Sequence, residues 1–234
     1  ALDKPLIAVP TVDALAYNLK SIGFDLVTTA NNHCMDKGYN GLSRTLDVLD
    51  QAELKHVGTY RTQAEFDENH GVVVADVGGI SVAFLGYTYG TNGMPVPAGT
   101  IVNLIDTVRM AADLAEARAS GVDFIVACLH WGNEYERREN AGQRSLAAFL
   151  RRNGVGVVVG SHPHVVQPWR ADSSHVVLYS LGNLVSNQRR RYTDGGLVAA
   201  VEAVRHADGR MDYRLETAPV WVALPGYRIL PPEA

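Results

Sequence analysis

Long hydrophobic runs are missing from this sequence of 234 residues. No stretch approaches the roughly 18 consecutive apolar residues that predict a membrane-spanning helix. The chain also opens without the basic segment and apolar core that mark a secretory signal peptide. It begins at Ala1 instead of a methionine, so we expect an upstream segment to precede it.

An excess of positive charge is missing too. Lysine and arginine number 21 against 25 aspartates and glutamates, which gives a net charge of −4. Nucleic-acid-binding domains present a basic face, so this balance argues against nucleic acid as a partner. Cysteine is scarce, and the single pair Cys34 and Cys128 does not form a disulfide framework. We therefore expect two free, half-buried thiols.

Hydrophobic residues are abundant and make up 47% of the chain. That content is enough for one substantial core. The sequence has no internal repeat, no low-complexity segment and no obvious interdomain linker. We therefore predict a single domain over residues 1–234.

Polar residues follow three apolar runs, at 26–30, 124–129 and 155–159, that we interpret as buried strands. Each run comes after a helical pattern that stops at a glycine, as helix ends often do. Neutral imidazole is the commonest metal ligand in proteins. In open α/β sheets, ligands bind at the carboxyl ends of the strands. We therefore expect one pocket to contain the residues at these ends: Asn32, His33, His130, His162 and His164.

The remaining pattern predicts helices and strands in alternation, followed by a strand-rich part. A hairpin turn is expected at residues 76–79, where two glycines favour a tight turn. The long Gly/Pro/Thr loop at 87–100 is of a length that usually signals function or disorder. Helices are predicted at 104–120 and 139–153, and strands at 176–181, 197–204 and 211–222. This order indicates two packed sheets flanked by helices.

Four blocks of the sequence resemble the signatures of one family. They are Asn31-Asn32-His33-Cys34-Met35-Asp36-Lys37-Gly38, His130-Trp131-Gly132-Asn133-Glu134-Tyr135, Gly160-Ser161-His162-Pro163-His164 and Tyr179-Ser180-Leu181-Gly182-Asn183. In this order they resemble the CapA family of capsule, or poly-γ-glutamate, biosynthesis proteins. These proteins are related to the calcineurin-like metallophosphatases. The resemblance extends from about residue 12 to residue 200.

The resemblance implies a four-layer α/β/β/α sandwich with two divalent ions at the strand ends. The residues that it implies as metal ligands are Asn32, His130, His162 and His164. His33 would act on the substrate as a general acid or an oxyanion donor. Imidazole and amide oxygen suit Zn, Mn or Fe, and two such ions can generate hydroxide near neutral pH.

The sequence departs from the family pattern at its start. The family carries a Gly-Asp block on a first strand and an Asn-Leu-Glu block soon after, and neither is present here. Either these acids lie upstream of an N-terminally truncated domain that lacks the first strand, or the protein lacks them. The remaining ligands are neutral, and two close cations need nearby anions. We therefore expect incomplete metal binding, with no ion or a single ion.

Several further residues have two interpretations each. Glu134, Tyr135 and Asn183 are candidate substrate-binding residues, although Glu134 and Tyr135 could equally form a solvated loop. Asp36 either orients His33 or satisfies nearby backbone. The candidates for contact with an anionic polymer are Arg137, Arg138, Arg189, Arg190 and Arg191, which could instead form a solvated face. Trp131 is expected to serve packing.

By the resemblance, the leading hypothesis is a metal-dependent hydrolase or transferase that acts on an amide or phosphoester of an anionic substrate. The alternative is a non-catalytic accessory protein that binds an anionic polymer or a membrane-associated synthase complex. Family members are commonly anchored at the outer face of the bacterial membrane. The sequence leaves the substrate, the metal and the oligomeric state open.

Overall fold

The structure is a computed structural model that describes residues 13–68 and 70–231. The helices are α1 (Ala14–Ser21), α2 (Gly38–Gln51), α3 (Gln63–Asp67), α4 (Thr107–Ala119) and α5 (Ala141–Arg152). The strands up to His130 are β1 (Leu26–Thr28), β2 (Lys55–Val57), β3 (Thr59–Tyr60), β4 (Val73–Val77), β5 (Ile80–Thr88), β6 (Ile101–Val102) and β7 (Phe124–His130). The later strands are β8 (Val155–Ser161), β9 (Trp169–Asp172), β10 (His175–Leu178), β11 (Gly195–Arg205), β12 (Met211–Ala223) and β13 (Arg228–Leu230).

The described residues divide into two compact units at the boundary between His130 and Trp131. In the first unit, β1 pairs with β2 and β5 pairs with β7, both in parallel. The predicted hairpin is confirmed, because β4 and β5 pair antiparallel across the turn at 78–79. The register of β5 on β7 sets Thr88 opposite His130, at the ends of the two strands.

The amphipathic helix α2 supplies much of the core of the first unit. Its residues Leu42, Leu46 and Leu49 are buried, and they cluster with Met35 and Leu54. Each buried aliphatic side chain contributes roughly 1.5–3 kcal/mol to folding. This packing anchors α2 directly behind the segment 31–37 that carries two candidate site residues.

The second unit contains two sheets. One joins β8 to β10 in parallel and β10 to β9 antiparallel, and the other is the antiparallel β11–β12–β13 sheet. Strand β12 contacts both β9 and β10, and the ring of Tyr213 covers Gly156 of β8. The predicted pair of packed sheets is therefore present within this unit, and α5 packs on β8.

The element boundaries differ from the sequence predictions by a few residues. Helix α4 begins at Thr107 instead of 104, because Asp106 caps it by accepting hydrogen bonds from the backbone N–H groups of Val108 and Arg109. Strand β9 was missed because all four of its residues are exposed, so it has no apolar alternation to detect. Within the described ranges, no helix is long and apolar enough to cross a membrane.

The start of α5 has a complete capping box. The Asn140 side chain accepts a hydrogen bond from the Gln143 backbone N–H at 2.9 Å, and the Gln143 side chain accepts one from the Asn140 backbone N–H at 3.0 Å. Replacing Asn140 with Ala should lower the free energy of unfolding by about 1 kcal/mol, as measured by urea denaturation. Lys37→Ala is the control, because Lys37 is the N-cap of α2 and its side chain makes no capping hydrogen bond. It should leave the free energy of unfolding almost unchanged. Equal losses would contradict this assignment of the cap.

Candidate functional site

A tight turn after β1 presents the first candidate residues. The Asn31 side-chain oxygen accepts a hydrogen bond from the His33 backbone N–H at 2.8 Å, and its amide donates to the Thr29 carbonyl at 3.2 Å. Such Asx turns are a common way for Asn to bend a chain sharply. The turn buries Asn32 and exposes His33 at the strand end.

Asn32 and His130 meet although 98 residues separate them. The Asn32 Oδ1 atom lies 2.8 Å from His130 Nε2. The Asn32 amide nitrogen donates to Asn92 Oδ1 at 3.2 Å, which turns its oxygen toward the imidazole. Tyr89 stacks on the His130 ring at a centroid distance of 6.3 Å and donates to Asn92.

Asn32 Oδ1 accepts a hydrogen bond from His130 Nε2–H in this structure, and the proton on Nε2 would have to leave for both atoms to bind one ion. Metal–nitrogen and metal–oxygen bonds of about 2.0–2.2 Å place neighbouring ligand atoms about 3 Å apart. The observed 2.8 Å between Asn32 Oδ1 and His130 Nε2 agrees with that separation. The spacing of the two atoms, although not their present protonation, is thus that of two ligands of one divalent cation.

His33 is paired with Asp36 within the same turn. The His33 Nδ1 atom lies 2.8 Å from Asp36 Oδ2, and 62% of the His33 side chain is exposed. Of the two interpretations of Asp36, the structure therefore supports the one in which it orients His33. The arrangement leaves the Nε2 edge of an exposed imidazole available for a substrate.

Strand β8 ends in a strained segment that carries the other two imidazoles. His162 has a φ of 99° and His164 a φ of 59°, both in the left-handed region that non-glycine residues rarely occupy. Tyr135 also has a positive φ, of 66°. Such conformations cost about 1–3 kcal/mol each and cluster at functional sites.

Asn183 determines which nitrogen of His164 is available. Its amide nitrogen donates to the Thr193 carbonyl at 2.8 Å, so its Oδ1 faces His164 Nδ1 at 3.0 Å. An oxygen acceptor at Nδ1 places the proton there and leaves a lone pair on Nε2, as metal-ligating histidines require. Glu134 Oε1 is 3.8 Å from that Nε2 atom, and Tyr135 stacks on the ring at 5.9 Å.

A buried pair of glutamines supports the loop that carries Glu134 and Tyr135. Gln143 Nε2 donates to Gln167 Oε1 at 2.9 Å, and Gln167 Nε2 donates to the Glu136 carbonyl at 2.7 Å. Trp131 is buried and donates to the Tyr179 carbonyl at 2.9 Å, which agrees with its predicted packing role. The glutamines, which carry no sequence motif, were missed.

The two cysteines are free and half-buried, as predicted. Burial raises the pKa of the Cys128 thiol to about 11, so this cysteine is a neutral thiol at neutral pH. Metal ligation requires the thiolate. Burial raises the pKa of the Cys34 thiol as well.

Asn32 and His130 come together in the first unit, and His162 and His164 are neighbours in the second, at a centroid distance of 6.1 Å. The convergence of all five predicted residues in one pocket stays a prediction. In the part of the chain that the structure describes, no group of three or more His, Cys, Asp or Glu side chains is placed to hold a metal ion. The Asn92 and Tyr89 contacts were missed, although their loop had been marked by its length.

Comparison with solved structures identifies the fold. The chain is similar to a calcineurin-like phosphoesterase from Bacillus subtilis, with a TM-score of 0.55, 18% identity and coverage of 87% of this chain and 66% of that one. It is also similar to a putative 5'-nucleotidase from Staphylococcus aureus, with a TM-score of 0.57, 18% identity and coverage of 87% and 39%. The predicted α/β fold of the metallophosphatase type is therefore confirmed.

Comparison with curated proteins gives two relatives of one kind. The capsule biosynthesis protein CapA of Bacillus anthracis is 30% identical over 186 residues, which cover 77% of this chain and 44% of the relative. The PGA biosynthesis protein CapA of Bacillus subtilis is 29% identical over 195 residues, with coverage of 83% and 51%. The chain thus spans about half the length of the curated relatives it matches.

A family model extends the match over the candidate residues. The model of the bacterial capsule synthesis protein PGA_cap matches residues 3–188, a range that includes the Asn-Asn-His turn, His130 and the two histidines after β8. This range covers most of the chain, and the resemblance predicted from four sequence blocks is confirmed. The chain belongs to the PGA_cap family of bacterial capsule synthesis proteins.

Proposed function

We propose that this protein is a metal-dependent hydrolase or transferase of the CapA type. Its substrate would be an amide or phosphoester of an anionic compound, used in capsule or poly-γ-glutamate biosynthesis at the bacterial cell surface. The single observation that carries the proposal is the approach of Asn32 Oδ1 to His130 Nε2 at 2.8 Å, which is also the spacing expected of two ligands of one ion. The family and the metallophosphatase fold support the same chemistry.

Four residues would hold the divalent ion or ions: Asn32, His130, His162 and His164. When bound, such an ion polarises the scissile group and lowers the pKa of a water molecule. Asn183 supports the role of His164 by fixing its tautomer. Both polar atoms of the Asn183 side chain are engaged within the protein, so we now assign it a positioning role.

His33 would transfer the proton. Asp36 orients the imidazole through Nδ1, which leaves Nε2 as the atom that would pass a proton to the departing oxygen or nitrogen. Glu134 and Tyr135 lie beside His164 and would contact the substrate. These residues of the chain would therefore bind the substrate, orient it and donate a proton to it.

The direct test is turnover of a chromogenic phosphodiester and a chromogenic γ-glutamyl amide, with Mn, Zn or Fe added. Turnover of either compound that depends on His130 would support the proposal. No turnover by the wild-type protein with any metal would contradict it. That result would favour an accessory role, and one relative that is 25% identical is named a probable polyglutamine synthesis accessory protein of Mycobacterium tuberculosis.

Metal content gives a separate prediction. The four proposed ligands are neutral, and two divalent ions held close together repel each other unless anions lie near. Elemental analysis of this purified chain should therefore find no ion or one ion per molecule, after dialysis against metal-free buffer. His162→Ala serves as the reduced-affinity control. Two tightly held ions would contradict the prediction and indicate that a carboxylate such as Glu134 bridges them.

A further inference from the structure

Four side chains of the first unit form a closed ring of contacts beyond the ends of β1, β5 and β7. His130 Nε2 donates to Asn32 Oδ1 at 2.8 Å, and Asn32 Nδ2 donates to Asn92 Oδ1 at 3.2 Å. The Tyr89 hydroxyl donates to the same Asn92 oxygen at 3.2 Å, and the Tyr89 ring stacks on the His130 ring with an interplanar angle of 9°. The two proposed ligands are therefore connected to each other and, through Asn92 and Tyr89, to the loop that follows β5.

Backbone contacts hold this loop in place. The Tyr89 backbone N–H donates to the His130 carbonyl at 3.0 Å. The Thr91 hydroxyl donates to the Met94 carbonyl at 2.7 Å, and the Met94 backbone N–H donates to the Thr91 carbonyl at 2.9 Å. Asn92, inside this turn, has a φ of 52°, a left-handed conformation that asparagine adopts more readily than most residues. The position of Asn92 is thus set by contacts that do not involve Asn32.

The orientation of the Asn32 amide decides whether Asn32 can bind a metal ion. Its oxygen is an acceptor with lone pairs, whereas its nitrogen only donates. An Asn32 without other partners could pair with His130 in either orientation, because a neutral imidazole nitrogen either donates or accepts. Asn92 Oδ1 only accepts, so it binds the Asn32 nitrogen and leaves the Asn32 oxygen toward His130.

We propose that Asn92 is a positioning residue for the metal ligand Asn32, and that Tyr89 positions both Asn92 and the His130 ring. The proposal deepens the proposed function and rests on it for the assignment of Asn32 and His130 as ligands. Residues that hydrogen-bond to metal ligands typically affect metal affinity 10–100-fold, although they do not touch the metal. Loss of the Asn92 side chain should therefore weaken metal binding without removing a ligand.

The test compares two substitutions of Asn92 in the whole chain. Asn92→Gly removes the side-chain acceptor and keeps the positive φ without strain. Its affinity for Mn or Zn, measured by isothermal titration calorimetry, should fall roughly 10–100-fold. Asn92→Asp keeps an oxygen that accepts from Asn32 and should bind metal at least as tightly as the wild-type protein. If Asn92 merely shaped the loop, the glycine variant would bind metal normally, and the proposal would be overturned.

A second measurement needs no metal. Nitrogen NMR of the isotopically labelled, metal-free protein, at a pH where the imidazole is neutral, reports which His130 nitrogen carries the proton. In the wild-type protein the proton should be on Nε2, opposite the Asn32 oxygen. In Asn92→Gly the Asn32 amide can turn over, so the His130 signals should shift toward a mixture of the two tautomers. A wild-type Nε2 without a proton, or unchanged signals in the variant, would overturn the proposal.

Two further variants serve as controls. Glu53→Gly is matched to Asn92→Gly, because Glu53 is another non-glycine residue with a positive φ, of 56°, and lies in the turn before β2. It should leave both the metal affinity and the His130 signals unchanged. Tyr89→Phe removes the hydroxyl and keeps the ring stack, so it should weaken metal binding less than Asn92→Gly does.

The outcomes separate this proposal from the proposed function. Metal binding that is lost in His130→Ala but normal in Asn92→Gly would overturn the positioning role alone. No metal binding by the wild-type protein would contradict the ligand assignment in the proposed function. The His130 tautomer would then decide whether Asn92 positions Asn32.

Discussion

His162→Ala is expected to lower turnover about a hundredfold or more and to reduce the metal content of the protein. Mutation of a residue that hydrogen-bonds to a metal ligand typically lowers metal affinity or activity 10–100-fold. Loss of the ligand itself should lower them at least as much. His162 is buried and follows β8 directly. Steady-state kinetics with the chromogenic substrates and elemental analysis measure the two effects.

A companion variant separates chemistry from folding. His162 has a φ of 99°, a conformation that glycine adopts without strain. His162→Gly should therefore keep the thermal stability of the wild-type protein while losing turnover. Full activity in either variant would show that His162 is a structural residue.

His33→Asn should lower turnover by roughly 10²–10⁴-fold, the usual contribution of a general acid, and leave metal content nearly unchanged. The reason is that His33 is proposed to act on the substrate, with Asp36 at its Nδ1 atom. His206→Asn is a matched control, because His206 forms a similar 2.9 Å contact with Asp212 on the β11–β12 hairpin. It should leave turnover unchanged. Metal loss in His33→Asn as large as that in His162→Ala would mean that His33 is a ligand.

Among the glycine-to-alanine substitutions near the site, Gly160→Ala is expected to destabilise the protein most. A Cβ atom at Gly160 would lie 2.0 Å from the Tyr179 carbonyl oxygen and 2.5 Å from Trp131 Nε1. These two atoms are hydrogen-bonded to each other and belong to the buried part of the second unit. Since neither can withdraw easily, we expect a loss of about 3 kcal/mol or more.

Urea denaturation followed by tryptophan fluorescence measures this loss. Gly90→Ala is the control, because a Cβ there would meet nothing within 4 Å and no positive φ is required. The control should change the free energy of unfolding by no more than about 0.5 kcal/mol. Similar unfolding midpoints for Gly160→Ala and Gly90→Ala would contradict the prediction. They would show that β8 and the segment at Tyr179 can move apart with little loss of free energy of unfolding.

Much of this protein could be read from local patterns alone. Apolar runs bounded by glycine marked β1, β7 and β8, because a buried strand needs consecutive apolar residues and a helix end favours glycine. The polar blocks after those strands indicated the family, which the match over residues 3–188 confirmed. These strands end one or two residues away from their predicted ends, since the hydrophobic pattern of a sequence does not show where backbone pairing between strands stops.

Contacts between distant loops were decided only by the tertiary structure. Asn92 orients Asn32 across 60 residues, and Asn183 orients His164 across 19. The exchanged contacts of Arg190 with Tyr135 and of Arg137 with Tyr192 likewise join separate loops. Periodicity and composition report whether a residue is buried along its own element, whereas these contacts depend on which strands pair and where their connecting loops meet. A sequence therefore indicates the candidate ligands, and folding selects the residues that orient them.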